Sequence, residues 1–246
     1  MSLRQWADDA FVEAVGRQHR QDPVLPATGG PAGNARLTAW TGVVLLVLFL
    51  VELVTLLDVS GLISWHIVVG VLLVPPALLK TGSTGWRIVR YYTRRESYVI
   101  AGPPPMLLRT LGPLVVVFTL AVLGSGLALI ALGPAAGRAP FLQLAGYSVS
   151  ALTVHQGTFV IWAVVTGIHT LGRIMPALRI IARHDRGTEP VPGRIPRAGV
   201  LIIVLVVAGV AAALVLGLSG AWSTGTAFHH FDKHGIAQLR LPHHGN

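Results

Sequence analysis

Residues 145–175 read AGYSVSALTVHQGTFVIWAVVTGIHTLGRIM, an apolar run that carries two histidines. A helix needs about 20 apolar residues to cross a bilayer, so this run is long enough to span. His155 and His169 are fourteen residues apart. On a helix that spacing puts their rings roughly 21 Å apart along the axis and within about 40° of one face. Because an ionisable side chain at membrane depth is costly, the two histidines indicate a functional site.

A second apolar run repeats this spacing in part. His66 is followed after fourteen residues by Lys80, with Pro75 and Pro76 between them. Each proline lacks an amide proton, so we expect the helix to kink between the two polar residues.

The composition is that of an integral membrane protein. Of 246 residues, 52% are hydrophobic and 12% charged, with a mean hydropathy of +0.65, whereas about a quarter of residues are charged in soluble domains. The formal charge of +9 comes from arginines beside apolar runs, which indicates membrane orientation and not a nucleic-acid partner. The chain has no cysteine, which excludes disulfides, thiolate metal sites and covalently attached c-type haem.

The hydropathy pattern predicts an all-α integral membrane bundle of five transmembrane helices. The predicted spans are 37–59, 62–79, 107–132, 145–175 and 198–218. The connection around Ser60 and Gly61 is so short that the first two helices must be antiparallel neighbours. Residues 1–36 form an arm before the 37–218 bundle, and residues 219–246 form a tail that contains five histidines, at positions 229, 230, 234, 243 and 244.

Arginine-rich loops set the predicted orientation in the cytoplasmic membrane. Arginines cluster after the second span and again after the fourth, whereas the connection at 133–144 holds only Arg138. By the positive-inside rule, the two basic loops and the amino-terminal arm are cytoplasmic and the tail is extracytoplasmic.

This topology pairs the polar residues by depth. The second and fourth helices run in the same direction, so His66 and His155 lie near the outer surface, and Lys80 and His169 near the inner one. A b-type haem takes two axial ligands from opposite sides, commonly imidazoles of facing helices in a bundle. We therefore expect two haem b groups between helices, with iron ligated by His66 and His155 at one level and by His169 and Lys80 at the other. Lysine ligates only as the neutral amine, so Lys80 must lose its proton.

Each of these residues also has a simpler explanation. His66 follows Trp65 and could anchor the helix at the interface. His169 could cap the cytoplasmic end of its helix, and Lys80 could extend its amine to the membrane surface. Gly112 and Gly126, also fourteen apart, would let a flat ring approach the backbone as cofactor-binding residues, although small residues equally serve helix packing.

Three histidine motifs and this glycine pair form a family pattern: TVHQG at 153–157, GIHT at 167–170, HIVVG at 66–70, and Gly112 with Gly126. Over residues 37–175 the chain resembles the di-haem membrane cytochrome b family. This family includes the cytochrome b subunits of membrane-bound hydrogenases and formate dehydrogenases, and the haem-bearing bundle of quinol–cytochrome c complexes. Lys80, where the pattern has a fourth histidine, is the chief departure, and the fifth helix is an addition.

The resemblance implies an electron-transfer subunit of an oxidoreductase complex, not a stand-alone enzyme. Such a subunit passes electrons through its haems between a redox partner and quinone, among the other subunits of a membrane redox complex. Two alternatives remain open: a haem-free scaffold that anchors other subunits, and a proton-coupled or metal-ion transporter. In the transporter Glu52, His66, His155 and His169 would form a relay.

Overall fold

A computed structural model describes residues 22–103, 106–182 and 191–238, together with positions 5, 8, 11 and 12. Side chains are described in these ranges except at 106–108, 182, 218 and 223–238. Within them, five helices are long and apolar enough to cross a membrane, which agrees with the five predicted spans. Most of the predicted arm at 1–36 lies outside the described residues, as do residues 239–246 of the tail.

The elements are almost entirely helical. In chain order they are α1 (Gly30–Thr55), a 3₁₀ turn (Leu56–Asp58), α2 (Ile63–Tyr92), the short α3 (Glu96–Ile100), α4 (Met106–Arg138), β1 (Pro140–Leu144), β2 (Tyr147–Ser150), α5 (Ala151–Ala182) and α6 (Arg194–Gln238).

The turn between α1 and α2 is held by one carboxylate. Oδ1 of Asp58 accepts hydrogen bonds from the Gly61 amide at 3.0 Å and the Ser60 hydroxyl at 2.9 Å. An Asp side chain that bonds the backbone three residues on reverses the chain locally. The predicted short connection is confirmed, and α1 and α2 pack as neighbours.

Helix α2 is longer than the predicted 62–79 span. It continues through Pro75 and Pro76 and ends only at Tyr92, so Lys80 lies well inside the helix and Arg87 is helical instead of in a loop. Two prolines weaken a helix, but α2 packs against α1, α4 and α6, and tertiary packing contributes more to helix stability than local propensity does.

Two other boundaries also differ from the prediction. Residues 145–150, assigned to the fourth span, belong instead to an antiparallel hairpin in which Leu144 pairs with Tyr147. Its turn residues Ala145 and Gly146 have φ of 47° and 83°, the backbone of a tight hairpin that no helix allows. Helix α4 is broken at Gly133, where φ is 76°, close to the predicted end at 132. The backbone of α6 stays helical to Gln238, well past the predicted 218.

The bundle centres on α2. Two buried clusters lie along it: Leu45, Leu73 and Ala77 join α1 to α2, and Ile67, Leu129 and Trp222 join α2 to α4 and α6. Helix α5 packs mainly against α4 and also contacts α1. Many leucine, valine and isoleucine side chains on the outer faces are exposed, as expected of helices that face lipid.

Candidate cofactor site

The structure brings His66 and His155 together. His66 lies in the first turn of α2 and His155 near the start of α5. Their ring centroids are 6.3 Å apart, with the ring planes at 76°. The backbones of α2 and α5 make little contact, so the two helices approach each other here through the edge-on contact of the two rings.

The His66 ring is oriented by two residues at the end of α1. Its Nδ1 lies 2.8 Å from Oε1 of Glu52 and 3.2 Å from the Thr55 hydroxyl oxygen. The single hydroxyl proton of Thr55 is donated to the Glu52 backbone carbonyl at 2.6 Å, so Thr55 can only accept from the ring. Two acceptors at Nδ1 place a proton on that nitrogen, and in the neutral ring Nε2 then keeps its lone pair.

The His155 ring is oriented in the same way by α4. Its Nδ1 lies 3.0 Å from the Ser125 hydroxyl oxygen, and Ser125 donates its own proton to the Val122 carbonyl at 3.1 Å. With the Ser125 proton on this carbonyl, the hydroxyl oxygen accepts from the ring, which corresponds to the tautomer with the proton on Nδ1 of His155. Nε2 of His155 is the nitrogen with a free lone pair.

In both environments the ring nitrogen Nε2 is left to donate its electron pair to a metal. The contacts of the two rings with Glu52, Thr55 and Ser125 are all made at Nδ1. Metal–imidazole bonds are about 2.0 Å long, so two rings whose centroids are 6.3 Å apart are close enough for both to ligate one metal centre. Hydrogen bonds from Nδ1 to a carboxylate or hydroxyl are also what orients histidine ligands in metal sites.

Gly126 and Gly112 have different surroundings. A Cβ at Gly126 would lie 3.3 Å from Cε1 and 3.8 Å from Nδ1 of His155, whereas a Cβ at Gly112 would meet nothing within 4 Å. Gly126 thus makes room for the imidazole itself. The open space beside Gly112 is compatible with its predicted cofactor role but does not test it.

Lys80 points into the interface between α1 and α2. Its Nζ donates a hydrogen bond to the Thr38 backbone carbonyl at 3.1 Å, and it passes so close to Gly42 that a Cβ there would lie 2.9 Å from Nζ. The amine is therefore bound within the bundle instead of extended to the membrane surface.

His169 lies at the same level as Lys80. Both Lys80 and Arg173 are close enough to interact electrostatically with its ring. Its Nδ1 is buried and has no hydrogen-bond partner among the described residues. Buried polar atoms without a partner are rare in native proteins and require an explanation, such as a missing ligand. His169 therefore has a ring nitrogen, Nδ1, without a hydrogen-bond partner among the described residues. The Lys80 amine, by contrast, is hydrogen-bonded to the Thr38 carbonyl.

Trp162 separates the two levels. It is seven residues from both His155 and His169, so all three lie on one stripe of α5 within about 40°. The Trp162 indole is buried, donates a hydrogen bond to Thr119 at 3.0 Å, and contacts the Phe49 ring of α1 with centroids 4.6 Å apart and planes tilted by 46°. The sequence analysis did not single out Trp162, although its position seven residues from each histidine is visible in the sequence.

Thr55 and Ser125 were also overlooked. Thr55 follows Glu52 by three residues, and Ser125 lies between two glycines, but neither position predicts contact with a histidine of another helix. Of the described residues, no three His, Cys, Asp or Glu side chains come together as a metal-ion site. A haem brings its own porphyrin nitrogens and needs only axial ligands from the chain, so a histidine pair suffices for it.

Comparisons with known proteins found no relative of this chain. No protein-family model matches the chain, and neither a curated protein nor a solved structure matches it significantly.

Proposed function

We propose that this chain is a membrane cytochrome b that carries electrons between a redox partner and the quinone pool. The observation that carries the proposal is the His66–His155 pair, with rings 6.3 Å apart and both Nε2 atoms available as donors. His66 and His155 would hold one haem b by its two axial positions. When bound, that haem supplies a one-electron couple within the bilayer.

The residues around the pair would keep it ready to bind. Glu52, Thr55 and Ser125 hold the protons on Nδ1, so neither ring has to change tautomer when its Nε2 binds iron. The Glu52 carboxylate also makes the His66 ring a stronger donor, because it stabilises positive charge on the imidazole. Gly126 leaves space for the His155 ring.

A second haem b would be held by His169 and Lys80 at the other level. The buried, unpartnered Nδ1 of His169 supports a missing ligand there. Lys80 would first have to release the Thr38 carbonyl and give up a proton, because only the neutral amine binds iron. Trp162 would fill the apolar region between the two levels and exclude water from it.

In this role the chain would be a multi-pass subunit of a membrane redox complex, not an enzyme by itself. Its partners would be quinone, an oxidoreductase at a membrane face, the other subunits of that complex and the lipid bilayer. The five apolar helices support membrane insertion, and the amino terminus is proposed to be cytoplasmic from the distribution of arginines.

An absorption spectrum of the purified protein tests the proposal. Protein made with adequate haem supply should give a dithionite-reduced minus oxidised spectrum of b type, and a haem assay should find bound protoporphyrin. His66→Ala and His155→Ala should each abolish one haem signal, because each removes one of its two axial ligands. Trp65→Ala, which removes an exposed ring beside His66, should keep both signals. Folded protein without haem would refute the proposal.

A proton relay is the second candidate function, favoured by the 2.8 Å contact between Glu52 and His66. A carboxylate and two imidazoles close together in a membrane can pass protons. The relay needs no haem, so a spectrum without haem combined with proton flux lost in Glu52→Gln would favour it over the cytochrome.

A further inference from the structure

A cavity of about 300 Å³ lies where three helices meet at one membrane face. It is lined by residues 36–40 of α1, the first two turns of α6 and the last turn of α5. Three arginines line it, Arg36, Arg194 and Arg197, together with apolar side chains that include Trp40 and Leu201. This is the face to which the arginine-rich connections belong, so the cavity opens at the level of lipid headgroups.

One of the three arginines has a structural role. The guanidinium of Arg197 donates hydrogen bonds to the carbonyls of Pro192 at 2.6 Å, Thr28 at 3.0 Å and Val191 at 3.1 Å. These bonds fasten the segment before α1 to the start of α6. Arg197 therefore forms a fixed positive wall of the cavity.

No residue in the described part of the chain compensates the charge of the other two arginines. Within the described residues, Arg36 and Arg194 form no hydrogen bond or ion pair, and none of the residues that line the cavity is acidic. Arg36 is also close enough to Arg197 for the two charges to interact. Like charges gathered around one cavity repel unless an anion lies between them, so the described lining of the cavity is short of negative charge.

We propose that this cavity binds an anionic phospholipid. Its phosphate would lie between Arg36 and Arg194, which offer planar donors suited to bidentate phosphate contacts. An acyl chain would follow Trp40 and Leu201 toward the bilayer interior. Basic pockets between transmembrane helices recognise anionic headgroups in this way. The proposal does not depend on haem binding.

The apolar part of the lining favours a lipid over a free anion. A soluble phosphate would use only the arginines and leave Trp40 and Leu201 in contact with water. A quinone, which is uncharged, would use the apolar wall but would leave the arginines without a counter-charge. A phospholipid with a negative headgroup satisfies both parts of the cavity.

The test is a titration of the detergent-purified protein with phosphatidylglycerol, with bound lipid counted by native mass spectrometry. Each arginine beside an anionic headgroup contributes about fivefold in affinity, so Arg36→Gln/Arg194→Gln should bind about 25-fold more weakly. Arg94→Gln/Arg95→Gln is the matched control, because it removes the same charge from exposed positions outside the cavity. The control should bind like the unchanged protein.

Further titrations and competition measurements identify the chemical class of the ligand. Phosphatidylcholine with the same acyl chains should bind far more weakly, and excess inorganic phosphate or a short-chain quinone should not displace the phosphatidylglycerol. Arg36→Lys/Arg194→Lys keeps both charges and should retain binding within a few fold, which separates loss of charge from loss of folding. Equal affinity of the Gln variant and the control, equal binding of phosphatidylcholine, or displacement by phosphate or quinone would overturn the proposal.

Discussion

Replacing Gly126 by alanine should displace the His155 ring, and Gly124 offers a control two residues away on the same helix. The new Cβ at 126 would lie 3.3 Å from Cε1 of His155, whereas one at 124 would meet nothing within 4 Å. Both changes gain the same helix propensity, about 1 kcal/mol per Gly→Ala. Only the first also adds an overpacking cost, of up to about 1–3 kcal/mol, because the His155 ring must shift by a few tenths of an ångström while it is hydrogen-bonded to Ser125.

Unfolding in mixed detergent micelles measures this difference directly. We expect the free energy of unfolding of Gly126→Ala to be below that of Gly124→Ala by up to about 1–3 kcal/mol. If His155 also ligates haem, Gly126→Ala should alter the spectrum of one haem while Gly124→Ala leaves it unchanged. Equal stability of the two variants would show that the His155 ring does not pack on Gly126, and would refute the contact between α4 and this ring.

Three other predictions concern separate parts of the molecule. Lys80→Met should change the spectrum and midpoint potential of one haem only, and a Lys80→Arg variant without any spectral change would remove Lys80 from the proposed site, since guanidinium stays protonated. A double-mutant cycle of Asp22→Ala and Arg87→Ala should give a coupling energy of about 1–3 kcal/mol. The reason is that two hydrogen bonds of 2.6 and 3.1 Å join these side chains, which are only 14% and 18% exposed. A coupling energy below about 0.5 kcal/mol would contradict the contact. A reporter fused at Asn246 should be active outside the cytoplasm, and cytoplasmic activity would reverse the proposed orientation.

The membrane-spanning helices could be predicted because their signal is local. Twenty consecutive apolar residues identify a span without reference to the rest of the chain, and the turn at Ser60 and Gly61 fixes how the first two helices pack. Parallel helices and matched depth then bring His66 near His155. Each of these steps uses spacing along one segment, which the sequence contains in full.

The features that escaped prediction depend on contacts between segments. Ser125 and Thr55 acquire their roles only when α4 and α1 approach the histidine-bearing helices, and their hydroxyl groups look ordinary in sequence. The hairpin escaped because Ala145 is an unusual residue for a positive φ of 47°, where Asn, Asp or Gly is the common signal. The length of α2 escaped because two prolines usually end a helix, and only packing against three neighbours lets it continue.

The two pairs, His66 with Lys80 and His155 with His169, share a fourteen-residue spacing. The hydrogen bonds at the two levels nevertheless differ. At the first level, hydroxyl protons go to backbone carbonyls, so both imidazoles keep a lone pair on Nε2. At the second level, Lys80 itself donates to the Thr38 carbonyl, and only His169 has an unused ring nitrogen. A haem at the first level would need no rearrangement of hydrogen bonds, whereas one at the second would have to replace an existing bond of Lys80. The first site should consequently fill at lower haem supply than the second.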